Sequence, residues 1–147
     1  MSDPQKLIII NNDTVMFNPS TFLPAIAIPP VVLKKITASG STKVHKKKLC
    51  VELDEESVIK KSRYFTPAFP KPGQGMFIIT QLDTSQTTKK TNENEKAIII
   101  KGTQFKAAFI VTGPAINPGT GVSDGKPSYT GGKGLFLILG NSTVFAG

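Results

Sequence analysis

The chain predicts a mainly β fold, and the spacing of its apolar residues is the first reason. From residue 72 onward, short apolar runs rich in β-branched and aromatic residues alternate with stops built from Gly, Pro, Asn or Thr. The runs lie at residues 76–80, 97–100, 105–111, 135–139 and 143–146. No helical pattern of comparable length competes with them. We therefore expect a compact small β fold, conical or sandwich-like, with long Gly- and Pro-rich loops.

The amino-terminal half adds two expected strands. A length of 147 residues suits one domain spanning residues 1–147. One strand is expected at residues 7–10. Alternating polar and apolar residues at 48–54 predict a second, half-exposed strand with Leu49, Val51 and Leu53 on its apolar face and Cys50 pointing away from it. The sequence contains no convincing internal repeat.

Three segments are expected to be loops or extended chain. Residues 83–96 contain no apolar side chain, which predicts a solvated loop or an extended arm. Residues 113–133 are rich in Gly and Pro and are expected to be the least regular part of the fold. Prolines punctuate residues 19–30 and favour extended chain. These three segments are candidates for contacts with a partner.

The charge of the chain is compatible with two interpretations. Eighteen basic residues against ten acidic ones give a net charge of +8, which favours a polyanionic partner. All the basic residues except Arg63 are lysines, whereas specific recognition of phosphates or bases favours the forked guanidinium group. A soluble, Lys-rich surface explains the charge equally well.

The residues needed for catalysis are scarce, so we do not expect an enzyme. His45 is the one histidine and lies in the Lys-rich run 43–48, where an exposed surface position is expected. The acidic run 54–56 reads as a solvated turn. A hydrolase would need a pocket that places Asp54, Glu55 or Asp124 beside a second carboxylate.

No cofactor and no metal are expected. His45 and Cys50 are the candidate metal ligands, but a closed tetrahedral zinc site needs four. A single cysteine forms no intramolecular disulfide, which favours a reducing compartment. Residues 1–4 lack the basic region of a signal peptide, and the apolar run 7–10 is too short for a signal core or a membrane span. We therefore expect synthesis in the cytoplasm without a signal peptide.

The order of the segments carries a family resemblance. An early Pro-rich segment precedes residues 40–44 and the expected strand through 50–54. Pro72-Gly-Gln-Gly75, a Thr-rich polar stretch, residues 97–102 and 111–115, and a strand from Gly134 follow before the final glycine. In this pattern the chain resembles the PAAR-like proteins, the small tips that cap the spikes of type VI secretion machines, phage tails and related contractile injection systems. The Pro-Ala-Ala-Arg motif and the several-histidine metal site of many members are absent.

The resemblance implies a conical β-rich protein whose base docks on a trimeric β-helical spike and sharpens it for membrane puncture. The implied partners are that spike protein, a cargo effector and, transiently, the target membrane. The implied location is an assembled injection particle, which can be delivered outside the cell. Five apolar residues of the later strands are predicted to dock on the spike: Phe105, Phe109, Val111, Leu135 and Leu137. Phe105 and Phe109 share one strand face, which is most simply the core face.

The alternative from another class is a Lys-rich β-barrel of the OB type that binds single-stranded nucleic acid. Strong salt dependence of binding is the signature of that function.

Overall fold

The fold is mainly β, as the sequence predicts. A computed structural model describes residues 4–93 and 95–146 of the chain. The strands in this part are β1 (Thr14–Phe17), β2 (Ile26–Ile28), β3 (Val32–Lys35), β4 (Lys43–Val44), β5 (Lys47–Lys48), β6 (Ile59–Phe65), β7 (Gly73–Gln81), β8 (Thr87–Glu93), β9 (Lys96–Ile99), β10 (Phe105–Gly113) and β11 (Ser128–Ile138). Four 3-10 turns lie at Pro4–Lys6, Pro19–Phe22, Asp54–Ser57 and Thr84–Gln86. None of the described helices is long and apolar enough to cross a membrane.

Seven strands form one antiparallel sheet that almost closes into a barrel, rather than the two layers of a sandwich. The strand order is β2-β6-β7-β10-β11-β1-β3. The strands belong to three successive hairpins: β1 with β2 and β3, β6 with β7, and β10 with β11. The returning strand of each hairpin pairs with the outgoing strand of another, because β2 pairs with β6, β7 with β10 and β11 with β1. The hairpins thus follow one another cyclically around the barrel.

The first hairpin has a broken returning strand. β2 hydrogen-bonds to β6, whereas β3 hydrogen-bonds to β1. Pro29 and Pro30 lie between them, and proline has no N–H to continue a ladder. The return arm therefore changes its partner at the prolines.

Aromatic side chains fill the barrel. The rings of Phe17 and Phe77 lie 5.5 Å apart between centroids, and those of Phe77 and Phe109 lie 4.6 Å apart. Phe105 and Phe136 join this cluster, and all five rings are buried. Burial of a side chain of this size contributes about 1.5–3 kcal/mol relative to an exposed position.

The three hairpin tips, at residues 18–25, 66–72 and 114–127, close the far end of the barrel. Eight of the eleven prolines lie there: Pro19, Pro24, Pro67, Pro70, Pro72, Pro114, Pro118 and Pro127. Lys71 and Ile116 exchange two backbone hydrogen bonds of 2.9 and 3.0 Å, which join two of the tips. We call this end the proline end.

Three sequence-based expectations need correction. Residues 83–96, of which Asn94 lies outside the described residues, are not a solvated loop. A 3-10 turn at Thr84–Gln86 leads into β8, which pairs with β9, and the polar side chains of Gln86 in the turn and Thr88 in β8 are buried. Residues 113–133 are only partly a loop, because β11 begins at Ser128 and the loop before it is pinned by Asp124. For residues 48–54, the sequence placed Leu53 on the apolar face and Cys50 on the opposite one. In the structure Cys50 is fully buried, whereas Leu53 is 55% exposed.

Candidate functional site

Three short apolar segments close the end of the barrel opposite the proline end. They are residues 8–10, 49–51 and 98–100, and each comes shortly before the first strand of one hairpin. Their central residues, Ile9, Cys50 and Ile99, have no exposed surface and belong to the barrel core. The residues on either side of each centre belong to a second apolar cluster outside the barrel. Successive side chains of an extended chain point to opposite sides, so each segment packs its central residue into the barrel core and the two neighbouring residues into the second cluster.

The central residues form a closed ring of backbone hydrogen bonds. The N–H of Cys50 donates to the carbonyl of Ile9 at 2.8 Å, and the N–H of Ile99 donates to the carbonyl of Cys50 at 2.9 Å. The N–H of Ile9 donates to the carbonyl of Ile99 at 3.0 Å and completes the ring. Each central residue therefore donates one hydrogen bond through its N–H and accepts one through its carbonyl, and the three bonds form a closed cycle.

A second set of hydrogen bonds repeats the same cycle around the ring. Each bond runs from the residue two positions after one centre to the residue two positions before the next. The bonds are Asn11 N–H to Lys48 O at 2.8 Å, Glu52 N–H to Ala97 O at 2.9 Å, and Lys101 N–H to Leu7 O at 2.9 Å. The backbone at this end consequently has three-fold pseudosymmetry, and we call residues 7–11, 48–52 and 97–101 together the three-fold end.

This repeat was missed from the sequence for identifiable reasons. The triplets at 8–10 and 98–100 are both Ile-Ile-Ile, but the triplet at 49–51 is Leu-Cys-Val. The centres 9, 50 and 99 also lie 41 and 49 residues apart, so no single period connects them. One local signal does recur: a left-handed residue lies three positions after each centre, at Asn12 (φ 70°), Leu53 (φ 81°) and Gly102 (φ 54°).

Buried carboxylates hold two of the three turns. Asp13 Oδ2 accepts from the N–H of Ile10 at 2.8 Å, and Asp54 Oδ2 accepts from the N–H of Val51 at 2.8 Å. Burial raises the pKa of Asp13, although hydrogen bonds from the backbone of Gly140 and Ile10 oppose the rise. In the third unit the N–H of Ile100 donates instead to the carbonyl of Gln86.

Three extensions surround the second apolar cluster. They are residues 37–48, residues 82–93 with 95–97, and residues 139–146, and each receives a hydrogen bond from one segment of the ring. Ile8 N–H donates to Val144 O at 3.1 Å, Leu49 N–H to Thr42 O at 3.0 Å, and Ile98 N–H to Thr88 Oγ1 at 2.9 Å. The extensions differ in sequence and shape but occupy equivalent places around the ring.

A cleft of about 520 Å³ opens between the extensions. Ile8, Leu49 and Ile98 line it, one from each segment of the ring, so the cleft lies on the pseudo-three-fold axis. Each extension contributes further lining residues: Thr42, Lys43, Val44 and His45 from the first, Thr91, Asn92 and Glu93 from the second, and Val144, Phe145 and Ala146 from the third. We call it the axial cleft.

The strands that contribute to the axial cleft carry several exposed lysines and have unpaired edges. β4 pairs only with β5, and β8 only with β9, among the described residues, so each leaves one edge unpaired. The exposed lysines on β4, β5, β8 and the β4–β5 turn are Lys43, Lys46, Lys47, Lys48, Lys89 and Lys90. The Glu93 carboxylate accepts from the backbone N–H groups of Ser41 and Thr42. This carboxylate therefore fastens one extension to another.

The predicted docking residues lie in different environments. Phe105 and Phe109 are fully buried, which confirms the core-face reading and means that their rings offer no surface to a partner. Val111 is half-buried against the core. Leu135 and Leu137 lie on the outer face of β11, where Leu137 is 45% exposed. A lateral contact through Leu135 and Leu137 stays a prediction.

The two candidate metal ligands do not share a site. His45 is exposed at the β4–β5 turn, and its Nε2 lies 3.0 Å from Thr143 Oγ1. Cys50 is buried in the barrel core, where burial, and next the charges of Asp54 and Asp13, raise the pKa of its thiol. Within residues 4–93 and 95–146, no group of three His, Cys, Asp or Glu side chains is arranged to hold a metal ion.

The acidic residues considered for catalysis have structural partners. Asp54 is buried rather than solvated, and its Oδ1 accepts from Ser39 Oγ at 2.6 Å. Asp124 Oδ2 accepts from Tyr64 Oη at 2.8 Å and from Tyr129 Oη at 2.6 Å. Burial raises the pKa of Asp124, but hydrogen bonds from Tyr129, the Lys126 backbone and Tyr64 outweigh burial, and its pKa is lowered.

Comparison with known proteins gives one family. Residues 1–147 match the family model described as contractile injection system spike tip protein. No curated protein matches the chain.

Proposed function

The chain belongs to the family of contractile injection system spike tip proteins, and we propose that one copy of it caps the trimeric β-helical spike of such an apparatus and sharpens the spike for membrane puncture. The spike protein is the proposed partner. In this proposal the chain is made in the cytoplasm, joins the injection particle and touches the target membrane only during delivery. A cargo effector travelling on the tip is compatible with this role.

The observation that carries the proposal is the closed three-membered ring through Ile9, Cys50 and Ile99. A symmetric trimer presents three identical chain ends around its axis, and contacts between the trimer and another body repeat with that symmetry. A single chain can meet all three ends alike only if it offers three equivalent positions. The ring and the cyclic order of the hairpins supply them.

The proposed role is mechanical and not catalytic. A tip needs a rigid body and a docking face. The buried carboxylates described in this chain hold the rigid body together. Asp13, Asp54 and Asp124 are buried and accept hydrogen bonds from backbone N–H, serine or tyrosine groups. These contacts support a structural use of the acidic residues.

The test is the stoichiometry of the complex with the purified trimeric spike protein of the same apparatus. Native mass spectrometry of the mixture is expected to give one copy of this chain for three spike chains. Three copies per trimer, or no complex at all, would contradict the proposal.

Binding of single-stranded nucleic acid would favour the alternative function. Stacking of bases needs open aromatic faces, and Phe65, Phe69 and Phe145 are each half-buried in the folded chain. Binding of an oligonucleotide that falls steeply with salt, together with no binding to the spike, would replace the spike-tip proposal.

A further inference from the structure

The two ends of the barrel differ in a way that assigns an orientation to the tip. The proposed function requires three-fold pseudosymmetry but does not say which end meets the spike. We propose that the axial cleft is the docking surface, that it receives an apolar, acid-rimmed end of the trimeric spike, and that the proline end leads. This inference rests on the proposed function.

The first argument is the symmetry of the cleft lining. Ile8, Leu49 and Ile98 come from the three equivalent segments of the ring, and each extension adds lining residues of its own. Three identical apolar side chains, one from each spike chain, can therefore enter the cleft around its axis in equivalent surroundings. Contacts buried at the centre of an interface contribute most of its binding energy.

The second argument is the backbone at the rim. β4 and β8 each leave an edge unpaired in the described part of the chain, and such an edge can accept another strand. The proline end offers fewer backbone groups for pairing with another strand, because the eight prolines of its tips have no N–H to donate. Continuation of the spike's β-structure is consequently possible at the three-fold end and disfavoured at the proline end.

The third argument is charge complementarity. Lys43 lines the cleft, and Lys46, Lys47, Lys48 and Lys90 are exposed on the same β4–β5 hairpin and on β8, whereas Lys89 Nζ donates to the carbonyls of Thr84 and Thr87 within the chain. The nearby carboxylate of Glu93 is engaged by Ser41 and Thr42 within the chain. A spike end with apolar residues at its axis and acidic residues outside them matches this pattern in sign.

The experiment compares three valine or leucine to aspartate substitutions at exposed positions. Val144→Asp places a charge at the axial cleft, Val122→Asp places one in the 114–127 tip at the proline end, and Leu137→Asp places one on the side of the barrel. Each full-length variant is titrated with the purified trimeric spike. Val144→Asp is expected to weaken binding by at least about tenfold, because the new carboxylate loses its water against the apolar side chains of the proposed spike end and lies close to its acidic residues. Val122→Asp is expected to bind like the parent chain, and Leu137→Asp is expected to do so if the axial cleft, rather than the lateral contact predicted from the sequence, is the docking surface.

The outcomes separate the orientation from the function. Weakening by Val122→Asp or Leu137→Asp, with Val144→Asp unchanged, would overturn the orientation and leave the spike-tip function intact. Equal binding by all three variants would also overturn it. Failure of the parent chain to bind the spike would remove the proposed function and the orientation together.

A charge-reversal variant provides a second measurement. Lys46→Glu and Lys47→Glu, both exposed at the β4–β5 hairpin, are expected to weaken spike binding and to reduce its dependence on salt. The control reverses Lys71, which is exposed at the proline end, and Lys61, which is exposed on β6 at the side of the barrel. A larger effect from the control pair would contradict the proposed docking surface.

Discussion

Asp124 carries the polar contacts that fix the 114–127 tip to the barrel. Its carboxylate accepts from Tyr64 and Tyr129, and its Oδ1 accepts from the N–H of Lys126 at 3.0 Å. We expect Asp124→Asn to lower the free energy of unfolding by about 2–4 kcal/mol, because the amide group turns a donor toward hydroxyls that also donate. Urea denaturation followed by circular dichroism measures the difference.

The pH dependence of the same variant tests the role of the charge. The folded-state pKa of Asp124 is lowered, so its stabilising contribution is present above the unfolded value of about 3.9 and is lost as pH falls through the folded value. The difference in melting temperature between the parent and Asp124→Asn should therefore shrink between pH 6 and pH 3. Asp13, whose pKa is raised by burial, shifts in the opposite direction and is common to both proteins. A difference that stays constant across this range would show that the charge of Asp124 is not what stabilises the tip.

The extensions of the three-fold end depend on a clamp between elements. Glu93 on β8 accepts from the N–H groups of Ser41 and Thr42, which lead into β4. Burial raises the pKa of Glu93, but these hydrogen bonds outweigh it and the pKa is lowered, so the clamp is charged at neutral pH. We expect Glu93→Gln to speed amide hydrogen exchange at Ser41 and Thr42 by about tenfold, since hydrogen bonds to charged acceptors are the stronger ones.

The controls for this clamp are internal to the experiment. Exchange at Cys50, whose N–H belongs to the ring, should be unchanged in Glu93→Gln. Glu56→Gln, at an exposed position, should leave Ser41 and Thr42 as they are in the parent. Unchanged exchange at Ser41 and Thr42 in Glu93→Gln would mean that the two extensions hold their places independently.

Elements with strong apolar patterns were predictable, and elements held by polar contacts were not. The runs at 76–80, 105–111 and 135–139 all lie in or at the end of strands of the barrel, because period-two alternation and β-branched residues dictate that structure locally. β8 has no such pattern. It is a strand because β9 pairs with it and because the buried Gln86 and Thr88 find backbone partners, which depend on residues far away in sequence.

The candidate site could not be predicted from the sequence for a related reason. Residues 48–54 were assigned one buried face, but their segment lies between two cores, so Leu49, Cys50 and Val51 are all buried. The ring itself consists of backbone hydrogen bonds, which leave almost no trace in side-chain identity. The family resemblance, by contrast, depended on the order of segments and was confirmed by the family match over residues 1–147.

For the molecule as a whole, the ring joins the three hairpins, and Cys50 reports whether they unfold together. Its side chain is fully buried in the barrel core, and its N–H and carbonyl bond to Ile9 and Ile99. Burial also raises the pKa of the thiol, whereas reaction with a disulfide reagent requires an exposed thiolate. We therefore expect labelling of Cys50 to require global unfolding. Because the sequence has one cysteine, the labelling rate divided by the rate in the urea-unfolded chain gives the equilibrium constant for opening when reclosing is faster than labelling, and its logarithm gives the free energy of opening.

That free energy should agree within about 1 kcal/mol with the value from urea denaturation, which for small domains is about 5–15 kcal/mol. Agreement would mean that no extension or hairpin can leave the three-fold end without unfolding the barrel, as a tip loaded along its axis requires. Labelling that is faster by several orders of magnitude would show instead that the three-fold end opens as a separate unit. A docking end that opened in this way would have to be ordered by the spike, and its binding would then show a large negative heat-capacity change.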